Sequence, residues 1–451
     1  MIFENNGKKL AEMAMKQFFM NQEDERWRAL TQLVDFYEND HIPYIMQKLE
    51  SKPESNDSFP YYFLPLTRHI IKKKSLVYKK APTRDMSDNY LEITKRKDHW
   101  MKEAERQTRL MPVVAMRPLI REGEKVFDYQ IVRQFKGFCD PENLSKFKAI
   151  SYLVGYDEKS SHDRLWAYWD DENYVIVDDG GTPVKNQEMY GGRADKKNPY
   201  GEIPFAFFRF NNVIDDCWVG GAFDLVNNNW NIDIAMSDIN WMHRYAMFKQ
   251  PVIIGNPNDL SKVKFGFNEA VMMTRQDSPQ GQQSSFDFVD LQANFENAFY
   301  IIQKELEMIS LLSGVSLNWE LKGTPSGFSL VVKNMDLLMD WEDDIDFCRQ
   351  WERDLFDKEK LVYETDAKGT ISDTEVHVNF ADIKFPVDPK ETREQTDWEI
   401  KNNYSTGIDY MRTQDQDATD EDLKKKREDN AEYNGEYNST SGTTLLTEIN
   451  T

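Results

Sequence analysis

The stretch FDLVNNNWNIDIAMSDINWMHRYAMFKQPVIIG, residues 223–255, decides how this chain is read. Phe223, Val226, Trp230, Ile234, Ser237, Trp241, Tyr245 and Phe248 recur at intervals of three or four, close to a seven-residue repeat, so a long helix is expected over 222–249. Pro251 stops it. Strand-like QPVIIG and EAVMMTRQ then flank loops, notably DSPQGQQSS at 277–285. Helix resumes near Leu291 and runs to about Ser313, with Phe295, Phe299, Ile302, Leu306 and Ile309 on one face, and Gly314 ends it. Upstream lies an extended segment, NPYGEIPFAFFRFNN (198–212). Downstream comes a Gly/Pro/Ser break, GVSLNWELKGTPSGFS (314–329), and then a further long helix from Phe328 to about Tyr363. Two helices bracketing a small insert, followed by a looped hinge, make a poor compact globule. They make a good wedge in a ring of identical copies.

Working outward, Lys8–Leu49 reads as helix, with Phe18, Phe19, Trp27, Leu30, Leu33, Val34 and Tyr37 separated by charges. The loop SKPESNDSFP (51–60) closes that unit. A basic cluster follows at Lys72, Lys73, Lys74, Lys79 and Lys80; it reads either as a contact for phosphate or an acidic partner or as the solvated face of a helix ending at Pro82. Residues 88–110 are helical again. Between Met111 and Pro204 the period shifts towards two, and KVFDYQIVRQF, KAISYLVGY, RLWAYWDD and NYVIVDDGGTPV mark a β-rich subdomain, with a turn at Asp179-Gly180-Gly181. A strand is expected in VHVNFADIKFPVD, then helices over Lys390–Tyr404 and Thr419–Tyr433. The polar tail from Asn434 reads as disordered. The class is α+β.

At 451 residues the chain can bury several cores, and 40% hydrophobic with 13% aromatic content excludes a wholly disordered protein. A net charge of −22 argues against gripping duplex DNA through its phosphates. That balance means either plain solubility or a surface that nucleic acid passes without sticking. Cys139, Cys217 and Cys348 are odd in number and lack metal-ligand spacing, so reduced thiols and synthesis in the cytoplasm are expected. The N-terminus is too charged for a signal peptide, and no apolar run approaches the ~20 residues of a membrane span, so no membrane is expected. Phosphate-loop, GxSxG, HExxH and CxxC signatures are missing, and GTPSGFS lacks the lysine of a phosphate loop. The six histidines are scattered and read as surface or core residues. The best catalytic candidate is Glu342-Asp343-Asp344 with Asp346, as in a two-metal nuclease. Adjacent helical positions fan about 100° apart, so these acids read instead as a solvated face, and no metal or cofactor is expected.

In this order of parts the chain resembles the portal proteins of tailed bacteriophages, from about Leu10 to Asn430. NPYGEIPFAFFRFNN is similar to that family's approach to the stem. The 223–255 stretch is similar to the first stem helix leading into the clip, and SGVSLNWELKGTPSGFSLVVKN to the tunnel-loop segment. KFPVDPKE and GIDYM with EDLKKKREDN are similar to its C-terminal end. The resemblance implies a mainly helical portal fold: a wing over 1–221, stem helices at 222–249 and 291–313, a small α/β clip at 250–290 and a tunnel loop at 314–327. A long kinked helix and strand of the wing would fill 328–390, and a small helical crown 391–433. The short C-terminal region argues against a large crown or barrel.

The resemblance further implies a ring of about twelve subunits at one capsid vertex of the virion, assembled in the host bacterial cytoplasm with major capsid and scaffolding proteins. Double-stranded DNA would pass through it non-specifically during packaging and ejection. The terminase large subunit, then head-completion or adaptor proteins, would dock on the clip, where Asp259, Lys262, Lys264, Arg275 and Asp277 are candidates. Asn318, Glu320, Lys322, Thr324 and Ser326 would face the channel, with Lys322 making the closest approach to DNA. Trp230, Trp241 and Tyr245 read either as seam residues between subunits or as packing within one chain. Two other readings stand beside the portal: an acidic metal-dependent nuclease using Asp343, Asp344 and Asp346, and a structural adaptor without a DNA channel.

Overall fold

A computed structural model describes residues 21–49, 61–121, 124–140, 142–157, 160–246, 250–254, 285–289, 295–317, 335–381, 396–402, 404, 406 and 423–430. The chain divides into two units, one of residues 1–319 with 334–383, the other of residues 320–333 with 384–451. Helices and strands are mixed, and every described strand pairing is antiparallel, the arrangement of an α+β fold.

The first unit opens with α1 (Asn21–Glu38) and α2 (Ile42–Leu49). One continuous helix was expected here. The chain breaks at Asn39, whose φ of 68° is a left-handed conformation that asparagine tolerates, and Pro43 occupies the first turn of α2. Next come α3 (Leu66–Lys74), a 3-10 turn (Val77–Lys79) and β1 (Thr83–Arg84). The helix expected over 88–110 is also two: α4 (Asp88–Ile93), capped by the Ser87 hydroxyl accepting from Tyr90 N–H, and α5 (Lys97–Leu110).

The β-rich region forms two sheets. β2 (Val114–Ile120) lies between β3 (Phe127–Val132) and β8 (Ala206–Phe208), and β4 (Lys136–Asp140), β5 (Asn143–Asp157), β6 (Ser160–Asp170) and β7 (Tyr174–Val177) follow one another in a meander. Phe135, Phe147, Trp169 and Phe205 fill the core associated with both sheets. Register shifts around Cys139 bend β4, and Cys139 is bonded to Cys217 of the segment before α6, with Cα atoms 6.5 Å apart. This corrects the expectation of three reduced thiols; only Cys348 is free, and it is buried.

α6 (Phe223–Ala246) and α7 (Phe295–Ser313) flank the antiparallel pair β9 (Gln250–Ile254) and β10 (Ser285–Val289). β10 was not foreseen, and the strand expected at EAVMMTRQ lies outside the described residues. α8 (Met335–Asp366) runs without a break and lays Trp351 flat on Phe208, ring centroids 4.9 Å apart. β11 (Val378–Asn379) pairs with β1. Under α8 lies a buried ionic cluster in which Arg84 and Lys97 meet Glu352 at 2.7 and 3.0 Å, and Lys97 also meets Glu359. Tyr90 and Tyr129 donate to Glu359.

In the second unit, residues 396–401 and 423–430 are helical, within the two helices expected there, and Trp398 stacks on Tyr404 with centroids 5.6 Å apart.

Candidate functional site

The α6–α7 pair corresponds to the helices expected over 222–249 and from near Leu291 to about Ser313. α6 carries exposed polar residues such as Asp224, Asn227 and Asn231, and also a buried polar line: Asn229, Asp233 and Ser237, spaced by four. Each is satisfied by the segment before α3 or by its first turn. Asp233 accepts from the Leu64 N–H at 2.7 Å and from Asn229 Nδ2 at 2.8 Å, and pairs with His41 Nε2 at 3.0 Å. Asn229 accepts from the N–H and hydroxyl of Thr67, each at 2.9 Å. Ser237 accepts from the Tyr62 N–H at 2.9 Å. His41 is stacked on Phe36, centroids 4.2 Å apart. Burial pushes the Asp233 carboxyl above its ordinary pKa, and the His41 contact and the Leu64 N–H oppose that rise. The line behaves as a latch: alternatives of α6 rotated about its axis would bury these groups unpaired. Polar residues at i, i+4 and i+8 among the apolar positions were the signal for it, and only Ser237 had been singled out, as part of the apolar repeat.

α7 returns alongside α6. His243 near the end of α6 meets Phe295 at the start of α7, centroids 5.9 Å apart, so the two run antiparallel. Ile302, Leu306 and Ile309 bury one face of α7 against Ile232 and Ile239. Phe299, expected on that face, is exposed. Gly314 ends α7 with φ of 65°, a conformation open to glycine.

α7 also exposes apolar side chains on another side, interleaved with Asn297 and Lys304. Met308, Leu311 and Leu312 are 61%, 77% and 71% exposed, and Tyr300 and Ile301 are exposed beside them. At 100° per residue this stripe is centred roughly 140° round the helix from the packed face. Met335 and Met339 at the start of α8 are exposed too. α7 therefore has one apolar face packed within its own chain and further apolar side chains exposed on another side.

Of the seam candidates, Trp230 packs within the chain: its ring meets Tyr44 at 6.4 Å, and Lys48 Nζ lies 4.6 Å from its centroid. Trp241 is half-buried, and the Tyr245 side chain lies outside the described residues. So do the channel candidates Asn318, Glu320, Lys322, Thr324 and Ser326 and the docking candidates Asp259, Lys262, Lys264, Arg275 and Asp277. In the basic cluster, α3 ends at Lys74 instead of reaching Pro82; Lys74 pairs with Asp340 at 2.9 Å, and Lys73 donates to the Ser316 carbonyl at 3.4 Å.

In the acidic run on α8, Glu342, Asp343 and Asp346 are exposed as a solvated face would have them, and Asp344 alone departs from that reading. Asp344 is buried and paired with Arg109, which leans towards Glu105 at 3.7 Å, whereas Asp343 and Asp346 point to solvent. The three carboxylates diverge. No helix of the described residues is long and apolar enough to cross a membrane. No protein-family model matches the chain, and no curated protein matches it.

Proposed function

We propose that this chain is the portal protein of a tailed bacteriophage: a ring at one capsid vertex through which DNA is packaged and ejected, and a platform for the packaging motor and then for connector proteins. The observation that carries the reading is the exposed apolar stripe of α7 on the side away from its packing on α6. Head-to-tail closure of a ring requires each subunit to offer two different surfaces, and the exposed apolar side chains of α7, whose other face is taken up by α6, would supply one of them. The buried Asn229–Asp233–Ser237 line supports it by fixing the orientation of α6 against the N-terminal helices and the segment before α3. Twelve copies would carry about −264 formal charges in all, and channel walls sharing that negative balance would repel phosphate. Such walls keep phosphate affinity low, so that duplex DNA slides instead of parking. Lys322 of the expected tunnel loop is the proposed point of closest approach.

End-on negative-stain images of the purified full chain, with native mass spectrometry, test the proposal. Rings with an open centre wide enough for duplex DNA are expected. A monomer at high concentration would overturn the reading, and a closed assembly without a channel would favour an adaptor.

A further inference from the structure

An open cleft of about 780 Å³ lies between the β4–β5 hairpin, the segment through β8, and α8. That volume suits a small ligand or a few residues of polypeptide. Phe205, Phe207, Phe347 and Trp351 give it apolar lining, Lys146 and Arg209 contribute positive charge, and Asp171, Asp354 and Asp357 negative charge. Two further ion pairs of the lining neutralise themselves: Lys148 with Asp140 at 3.0 Å and Lys358 with Glu202 at 2.9 Å.

Arg209 is the unusual member. It is only 8% exposed, yet its guanidinium is held by neutral groups: Nε donates to the Cys217 carbonyl at 3.3 Å and Nη1 to the Ser145 carbonyl at 3.2 Å, over the Phe147 ring. Nη2 has no partner. Burial pulls its pKa down to about 10, and Asp354 opposes this through space. A buried cation whose contacts are carbonyl dipoles is costly until an anion meets it, and a guanidinium fixed in orientation suits a carboxylate. Beside it β8 is an edge strand, paired to β2 on one side, and its residues Ala206 and Phe207 line the cleft. Edge strands accept extended polypeptide.

We propose that this cleft receives an extended segment of a partner protein, in which an acidic side chain meets Arg209 and a basic side chain meets Asp354 and Asp171. The apolar lining takes the residues between them. The site uses one subunit alone, so it stands or falls separately from ring formation.

The test uses the full chain and fluorescent peptides, acetylated and amidated, with glutamate and arginine separated by one, two or three residues of phenylalanine and alanine. Saturable polarisation binding is expected for at least one spacing. Replacing the peptide glutamate by glutamine should weaken it about tenfold on the parent protein and leave binding to Arg209→Gln unchanged. Neutralising the peptide arginine should likewise weaken binding on the parent, and should weaken it less on Asp354→Asn, where Asp171 remains. Absence of saturation at millimolar peptide, or equal binding of the neutral peptides, overturns the proposal. Should Arg209→Gln fail to fold, the peptide substitutions on the parent and on Asp354→Asn still decide it.

Discussion

His41 and Asp233 face each other at 3.0 Å with no exposed side-chain surface, tying the start of α2 to the middle of α6. The contact spans 192 residues of sequence and joins the N-terminal helices to the element proposed as the first stem helix. Hydrophobic packing alone specifies a helix orientation weakly, because a helix that is apolar on several sides can rotate at little cost. The Asp233 carboxylate removes that freedom, since it has partners in one orientation.

Truncating it tests this directly. Asp233→Ala leaves the Leu64 N–H and the Asn229 amide without their buried acceptor and should cost about 3 kcal/mol. Asp233→Asn retains an oxygen for the Leu64 N–H and should cost about 1 kcal/mol. Urea unfolding of the two variants should give that ranking; equal midpoints would remove the latch from the account.

Glu352 sets the acid limit of the first unit. Burial would raise its pKa, but Lys97 and Arg84 outweigh burial and hold it at about 2. A carboxyl depressed in the folded state contributes stability that is fully present above the unfolded value and lost as pH falls through the folded one. The window therefore runs from about 4.5 down to about 2, and the loss is on the order of 3 kcal/mol. Glu352→Gln, which leaves two buried cations short of a partner, should cost about 3–5 kcal/mol at neutral pH. Its unfolding free energy should then fall less steeply than the parent's between pH 5 and pH 3, measured by urea titration at each pH.

The Cys139–Cys217 bond closes a loop with a sequence separation of 78 residues. In the chain-entropy account such a cross-link contributes about 4 kcal/mol. Cys139→Ser with Cys217→Ser should lower the thermal midpoint of the first unit, and a reductant should lower the parent's midpoint and leave the double variant unmoved. A reductant without effect on the parent would show that the bond adds nothing.

Local signals and long-range partners separate what the sequence revealed from what it hid. α6 was legible from Phe223 onward because its apolar spacing and Pro251 are local, and the β-rich region because alternation is local. Asn39 was missed as a break because an asparagine in the left-handed region leaves no periodic trace. β10 was missed because SFDFV is five residues following a run of Gln and Ser. Asp344 was misread because its partner Arg109 lies 235 residues away, and Cys139 because Cys217 carries no spacing rule. The α7 side chains were half visible: Phe295, Phe299, Ile302, Leu306 and Ile309 were read on one face, but the packed residues and the exposed stripe were not separated until α6 was in place.

That stripe yields the sharpest discrimination between fold and assembly. Leu311 and Leu312 are exposed and touch none of the cores, so Leu311→Asp with Leu312→Asp should change the unfolding free energy of the isolated chain by no more than about 0.5 kcal/mol per site. Placed between neighbouring subunits, the same carboxylates would be desolvated without partners, and rings should give way to monomers. Leu306 supplies the opposite control. It is buried against α6, so Leu306→Ala should cost about 2–5 kcal/mol of fold stability whatever the assembly state. Size-exclusion chromatography with light scattering reads the first effect and urea unfolding the second. A double aspartate variant that elutes at the same ring mass as the parent would place the subunit seam elsewhere and withdraw α7 from it.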